Sequence, residues 1–221
     1  MKFTYQVQDF TVTVSTEEYI RRFSNSECFI KYCKECRNYG KVWVCPPFSH
    51  DTMAELRQYA RVLLVATKIT PDGKKIPFSE VNRFFRPERL RIEKRLRDME
   101  MTYGGKAFAY AGSCLYCPEG TCSRLDNQPC RHPELVRPSL ESYGLDLGKT
   151  ASELFGFPLL WSNDGYLPEY LTLICGLFHN GWTSSLSKQW AGMQDRAEQC
   201  CCSLTSLSLA GAKRLPGLKG Q

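Results

Sequence analysis

Arg61-Val62-Leu63-Leu64-Val65-Ala66-Thr67-Lys68-Ile69 decides how the chain folds. This apolar run is short and closed by the turn residues Pro71-Asp72-Gly73, which predicts a buried strand. Beyond the turn, Phe85, Ile92, Leu96, Met99 and Tyr103 recur at near-helical spacing, so about Ser79 to Tyr103 predicts one long amphipathic helix. Pro87 either kinks that helix or marks the start of its longer part. Gly104-Gly105 ends it, and Lys106 to Ala111 reads as another apolar strand. Strand, helix and strand in succession predict an α/β fold, with a small mixed or parallel sheet flanked by helices. Upstream, Phe3 to Val14 alternates like one or two strands, and Thr16 can cap a helix running to Phe23. A further helix runs from Ser49 or Asp51 to Tyr59. Downstream come short helices near Ser139–Tyr143 and Leu147–Phe155, then a last strand near Tyr170–Phe178.

A chain of 221 residues buries roughly 70% of its unfolded surface and needs no metal simply to obtain a core. Its apolar (43%) and charged (24%) fractions are those of an ordinary globular protein. The longest apolar runs, Val62–Ala66 and Leu171–Phe178, are far too short to span a membrane. The N-terminal stretch lacks the continuous apolar segment of a signal peptide, so a cytoplasmic location is expected. Much of the net charge of +6 comes from Arg83, Arg86, Arg89, Arg91, Lys94, Arg95 and Arg97, which face only Glu88 and Glu93. The favoured reading is a solvated basic helix face with Glu93–Arg97 as an i,i+4 pair. The alternative is a docking surface, but no nucleic-acid motif accompanies the charge and nucleic acid is not expected.

Eight of the twelve cysteines form two compact groups: Cys28, Cys33, Cys36, Cys45 and Cys114, Cys117, Cys122, Cys130. Four thiolates within some twenty residues can close around one centre, the local requirement of a four-cysteine zinc or iron–sulfur site. In a reducing cytosol such spacing favours ligands or redox centres over structural disulfides. The expectation is therefore a metal-binding α/β domain over residues 1–180 with two cysteine-rich metal-binding loops. Residues 181–221 read as an atypical tail, in which adjacent Cys200, Cys201 and Cys202 diverge too much to chelate one ion together. Gly and Pro near the ligands shape and stiffen the loops, and Tyr39, Trp43 and Tyr116 could exclude water. His132 is expected to act structurally, His50 and His179 as surface or cap residues. Glu141 and Asp146 are expected to anchor the second loop, with Arg131 or Arg137 as partners.

Two stretches carry a resemblance. They are Cys33-x2-Cys36-x2-Tyr39-Gly40-Lys41-x-Trp43-x-Cys45-Pro46-Pro47 and Ala111-Gly112-x-Cys114-x2-Cys117-x4-Cys122, continuing through Cys130-Arg131-His132-Pro133 and Arg137-Pro138-Ser139-x-Glu141-x2-Gly144-x-Asp146. The chain resembles a family of predicted metal-binding proteins, domain of unknown function 2284, over about residues 3 to 178. The resemblance implies metal binding, with iron–sulfur favoured, and no known reaction. Cys28 falls outside the matched motif, and the tail is foreign to the family.

Thiolate-only ligation suits iron–sulfur clusters and zinc alike. Cys33 and Cys36 with Cys114 and Cys117 could supply one zinc site, but two local groups account for more of the cysteines. The Cys45-Pro46 step is similar to the Cys-Pro ending of ferredoxin motifs. One or two iron–sulfur clusters are thus favoured, with zinc as the alternative. Function then divides three ways: electron transfer or activation of a partner redox protein or enzyme, a zinc-stabilised binding module, or an enzyme using an open iron–sulfur cluster. A dithiol oxidoreductase built on Cys114-x2-Cys117 is less favoured, because Pro118-Glu119-Gly120 does not open a helix.

Overall fold

The computed structural model describes residues 4–109, 112, 114–162, 164–181 and 186–191. The chain divides into two compact units, residues 1–183 and 184–221. In the second, residues 186–191 are helical, and Cys200, Cys201 and Cys202 lie outside the described residues. No helix among the described residues is long and apolar enough to cross a membrane.

The first unit runs β1 (Tyr5–Ser15), α1 (Thr16–Phe23), α2 (Ser26–Glu35), α3 (Thr52–Leu56), β2 (Arg61–Pro71), α4 (Val81–Tyr103), β3 (Lys106–Phe108), α5 (Leu147–Thr150) and β4 (Leu171–His179). Ser15, not Thr16, caps α1 by accepting from the Glu18 amide at 3.2 Å. Helix α4 continues through Pro87. The Ser139–Tyr143 prediction shrinks to a 3-10 turn at Glu141–Tyr143, and α5 continues as a wider turn over Ala151–Phe155.

The sheet order is β1-β2-β4-β3, and all three adjacent pairs are antiparallel. The expected parallel component is therefore corrected. Strands β2 and β3 do run the same way around α4, but β4 lies between them and pairs with both. The cause is in the strands themselves. Strand β4 is buried at almost every position and takes a central place, whereas three-residue β3 suits an edge. Gly105 turns the chain from α4 into β3 with φ +111°, and a Cβ there would collide with the Phe178 carbonyl of β4.

Alternation along β2 divides the core. Val62, Leu64 and Ala66 join Tyr19, Phe23, Leu147 and Phe178 in the cluster under α1 and α5. Position 67 lies on the opposite face, beneath α4, where Thr67 donates to Asp9 at 2.6 Å. There part of the basic run forms a polar clamp, while Arg83, Arg86 and Lys94 stay exposed as expected of a solvated face. Arg91 donates to both Asp9 carboxylate oxygens at 2.8 Å and to Glu88 at 2.6 Å, while Arg95 lies 3.6 Å from Asp9. Arg89 and Arg95 are themselves buried. The Glu93–Arg97 pair is present at 3.6 Å, with Glu93 almost fully buried.

Removing one partner of such a buried pair strands the other charge in low dielectric. Asp9→Ala is expected to lower stability by about 3–5 kcal/mol in urea unfolding. Lys94→Ala, whose pair with Asp98 is exposed, is expected to cost less than about 1 kcal/mol. Equal small effects of the two would remove the clamp from the account.

Candidate metal centre

The first cysteine segment begins on a helix rather than in the expected loop. Asn25 caps α2 by accepting from the Cys28 amide at 3.3 Å, and its own amide donates to the Gly144 carbonyl at 2.8 Å. Gly144 has φ +85°, and a Cβ there would collide with Ser26, so the start of α2 sits tightly on the 141–143 turn. Cys28 and Cys33 are therefore both helical, and Cys36 is the residue that ends the helix. A five-residue step along an α-helix rotates a side chain by about 140°, so the C-x4-C spacing sends these two thiols in different directions. The Cys28 thiol is hydrogen-bonded to Tyr32, one turn further along α2.

Beyond α2 the chain folds back on itself. Cys36 donates to the Cys33 carbonyl at 3.0 Å, Tyr39 to the Cys36 carbonyl at 3.1 Å, and Gly40 to the Pro46 carbonyl at 2.8 Å. This return brings Cys45 beside the end of the helix. The Cys45 thiol is pushed up to about 12, first by burial and then by the negative charge that Cys36 and Cys33 would carry. Cys114 raises it further, while the Arg124 guanidinium opposes the rise. Cys33 is likewise raised, by burial, by Cys36 and by Glu141.

The second segment carries a 3-10 turn at Ser123–Asp126 and is curled by further turns. Thr121 donates its amide and its hydroxyl to the Pro118 carbonyl, and Ser123 Oγ donates to the Pro129 carbonyl at 2.7 Å. Cys130 is raised by burial and by Cys114, Cys122 and Cys117 together. The His132 backbone amide donates to its sulfur at 3.4 Å and works in the other direction.

Two sets of contacts that sequence reasoning missed hold these segments in place. Arg124 donates from one segment to the Val42 (2.7 Å), Cys45 and Pro47 carbonyls of the other, and its guanidinium lies 5.2 Å over the Trp43 ring. Trp43 returns the contact by donating its indole N–H to the Gln128 carbonyl at 3.0 Å. The second set ties the Cys114–Cys117 turn to α4. Tyr116 meets Arg97 and the buried Glu93, whose carboxyl is pushed up by desolvation. Arg137 pairs with Glu100 on α4 at 2.7 Å rather than with Glu141 or Asp146. Asp146 instead caps α5, and Glu141 lies near Cys33 with its carboxyl pushed up by burial. His179 is buried at the end of β4, not at the surface.

All nine described cysteines are free thiols. Among the described residues no three Cys, His, Asp or Glu side chains meet in a metal-holding arrangement. What links the cysteines is electrostatic influence: Cys36 acts on Cys33, Cys33, Cys36 and Cys114 act on Cys45, and Cys114, Cys122 and Cys117 act on Cys130. The donor chemistry fits a soft cation, since thiolates that disfavour one another are relieved by a positive centre.

The family of predicted metal-binding proteins, domain of unknown function 2284, matches residues 20–175. The chain belongs to that family. No curated protein and no solved structure matches it. The family span contains both cysteine groups and α4 but not β1, whose Asp9 nevertheless supplies the clamp under that helix.

Arg124→Gln tests the docking of the two segments. Loss of charge-assisted hydrogen bonds is expected to cost about 2–3 kcal/mol and to expose amides of residues 40–47 to hydrogen exchange. Unchanged protection there would show that the segments are held by something else.

Proposed function

We propose that this chain is a cytoplasmic iron–sulfur protein that acts in electron transfer or as the redox partner or activator of another enzyme. The observation that carries the reading is the match to a predicted metal-binding family over a span that contains both cysteine groups, supported by the influence of Cys114, Cys122 and Cys117 on the Cys130 thiol. Those four would hold one centre, and Cys33, Cys36 and Cys45 would hold another. The influence of Cys114 on Cys45 supports adjacent centres. When bound, a cluster would supply one-electron transfer at a potential tuned by burial and by hydrogen bonds to sulfur. The protein's part is to bury the thiols and to aim the His132 amide at Cys130.

Anaerobic purification with iron, zinc and acid-labile sulfide quantification tests the proposal. A brown protein with matched iron and sulfide is expected, and Cys117→Ser is expected to remove most metal from the second centre. A colourless protein loaded with zinc would overturn the redox reading in favour of a zinc-stabilised binding module.

The raised thiols also give a sign to the pH dependence. A thiol whose pKa is raised keeps its proton at neutral pH, so ligation must displace it. Metal affinity is expected to increase from pH 6 to pH 8, with protons released on loading, as titration calorimetry in buffers of different ionisation enthalpy can measure. An affinity independent of pH would exclude Cys33, Cys45 and Cys130 as ligands.

The position of Cys28 favours a second reading. With its thiol on Tyr32, the first group offers three cysteines, and a cluster there would keep an open coordination position suited to an enzyme. Cys28→Ser is expected to leave the spectrum unchanged on this reading; loss of the first centre would exclude it.

A further inference from the structure

A cleft of about 810 Å³ separates α4 from the second cysteine segment, a size suited to small organic ligands. Asn82, Phe85, Arg86 and Arg89 line it from α4. Their i, i+3, i+4, i+7 spacing places them on one stripe of the helix. Cys114, Cys117 and Cys122 line the opposite wall, so anything bound in the cleft lies against the second thiol group.

The lining is chemically lopsided. Glu119 is the sole carboxylate among the described lining residues, and it pairs with Arg37 at 2.9 Å. Arg86 and Arg89 add positive charge. Arg86 is exposed at the cleft, while Arg89 is largely buried and reaches the wall beside Gly112. The Arg89 charge is also felt by Glu93, which makes Arg86 the cleaner probe. Phe78, Phe85 and Leu115 supply apolar wall beside the arginines. Guanidinium groups match planar or tetrahedral oxyanions, and here they adjoin aromatic surface.

The geometry points to a binding site for a small organic anion, its carboxylate or phosphate on Arg86 and Arg89 and its apolar body on Phe78 and Phe85. This deepens the metal-centre reading by naming the class of molecule presented to the Cys114–Cys122 wall. The anion site itself depends only on the cleft.

Phenyl phosphate, followed by titration calorimetry, is the probe. Saturable binding is expected, stronger than that of inorganic phosphate or phenol, each of which offers half of the recognition. Arg86→Gln is expected to weaken phenyl phosphate about tenfold, the loss of one charge-assisted hydrogen bond. Phe85→Ala is expected to weaken phenyl phosphate and to leave inorganic phosphate unchanged. Lys94→Gln, elsewhere on the same helix, is expected to change neither. No saturable binding, no effect of Arg86→Gln, or an equal loss in Lys94→Gln would overturn the site. Metal content measured on the same samples separates the two proposals. A protein that binds the probe without metal keeps the cleft and loses the metal centre; metal without probe binding does the reverse.

Discussion

The insertion of β4 between β2 and β3 is the constraint on which the rest of the architecture depends. Strand β4 is apolar along almost its whole length and must be covered on both faces and both edges. Central placement leaves β1 and β3 as the edges and obliges α4 to carry the chain over β4 from one neighbour to the other. The chain then leaves short β3 at Phe108 and enters the second cysteine segment almost at once. The first segment lies in the long connection between β1 and β2, whose ends Ser15 and Arg61 are register partners. Both cysteine segments are thus excursions from the sheet, free of any duty in the strand ladder.

An excursion needs its own fastening, and here the fastenings are polar. On one side of α4, Asp9 and Glu88 hold Arg91; on another, Glu93 and Arg97 hold Tyr116, and Glu100 holds Arg137. Buried ion pairs contribute little net stability, because desolvation consumes most of the Coulomb gain. Their effect is geometric: a helix that supplies several pre-paired charges can seat β1, Tyr116 and the 133–137 stretch in only one way. Arg124 does the same between the two cysteine segments by donating to backbone carbonyls, which leaves the sulfurs unencumbered.

Periodicity carried the long helix and the buried strands, because Ile92, Leu96 and Met99 or Val62–Ala66 bury enough apolar surface to dominate their local alternatives. Strand partnership was not legible in the same way. Pairing depends on which apolar strand competes best for the centre, and β2, α4 and β3 alone cannot reveal that a strand far downstream will intervene. Helix α2 did carry a signal: Asn25 before Glu27 is a capping pattern, overshadowed by reading Cys28 to Pro47 as one cysteine loop. At the site, spacing alone pointed to two groups of candidate ligands, and the helix that separates Cys28 from Cys33 lay outside that reasoning. The roles of Arg124 and Glu93 do not, because one polar side chain in a sequence bears no mark of the carbonyl or tyrosine it will meet. The charge run of α4 misled for a related reason, since Asp9 lies far away in sequence.

The electrostatics of the thiols bind these observations together. Burial raises Cys33, Cys45 and Cys130, and each neighbouring thiol raises them again. Such an arrangement is poorly suited to several bare thiolates, and poorly suited to nucleophilic catalysis by any one of them, which calls for a lowered pKa. The low dielectric that disfavours the bare charges equally strengthens their attraction to a cation. Arg124 tempers the opposition at Cys45 without supplying a ligand, and the His132 amide does so at Cys130. Cys28 stands earlier on α2, where its thiol meets Tyr32. The distinction between Cys28 and Cys33 is therefore one of direction along a helix, which lies where spacing alone suggested a loop.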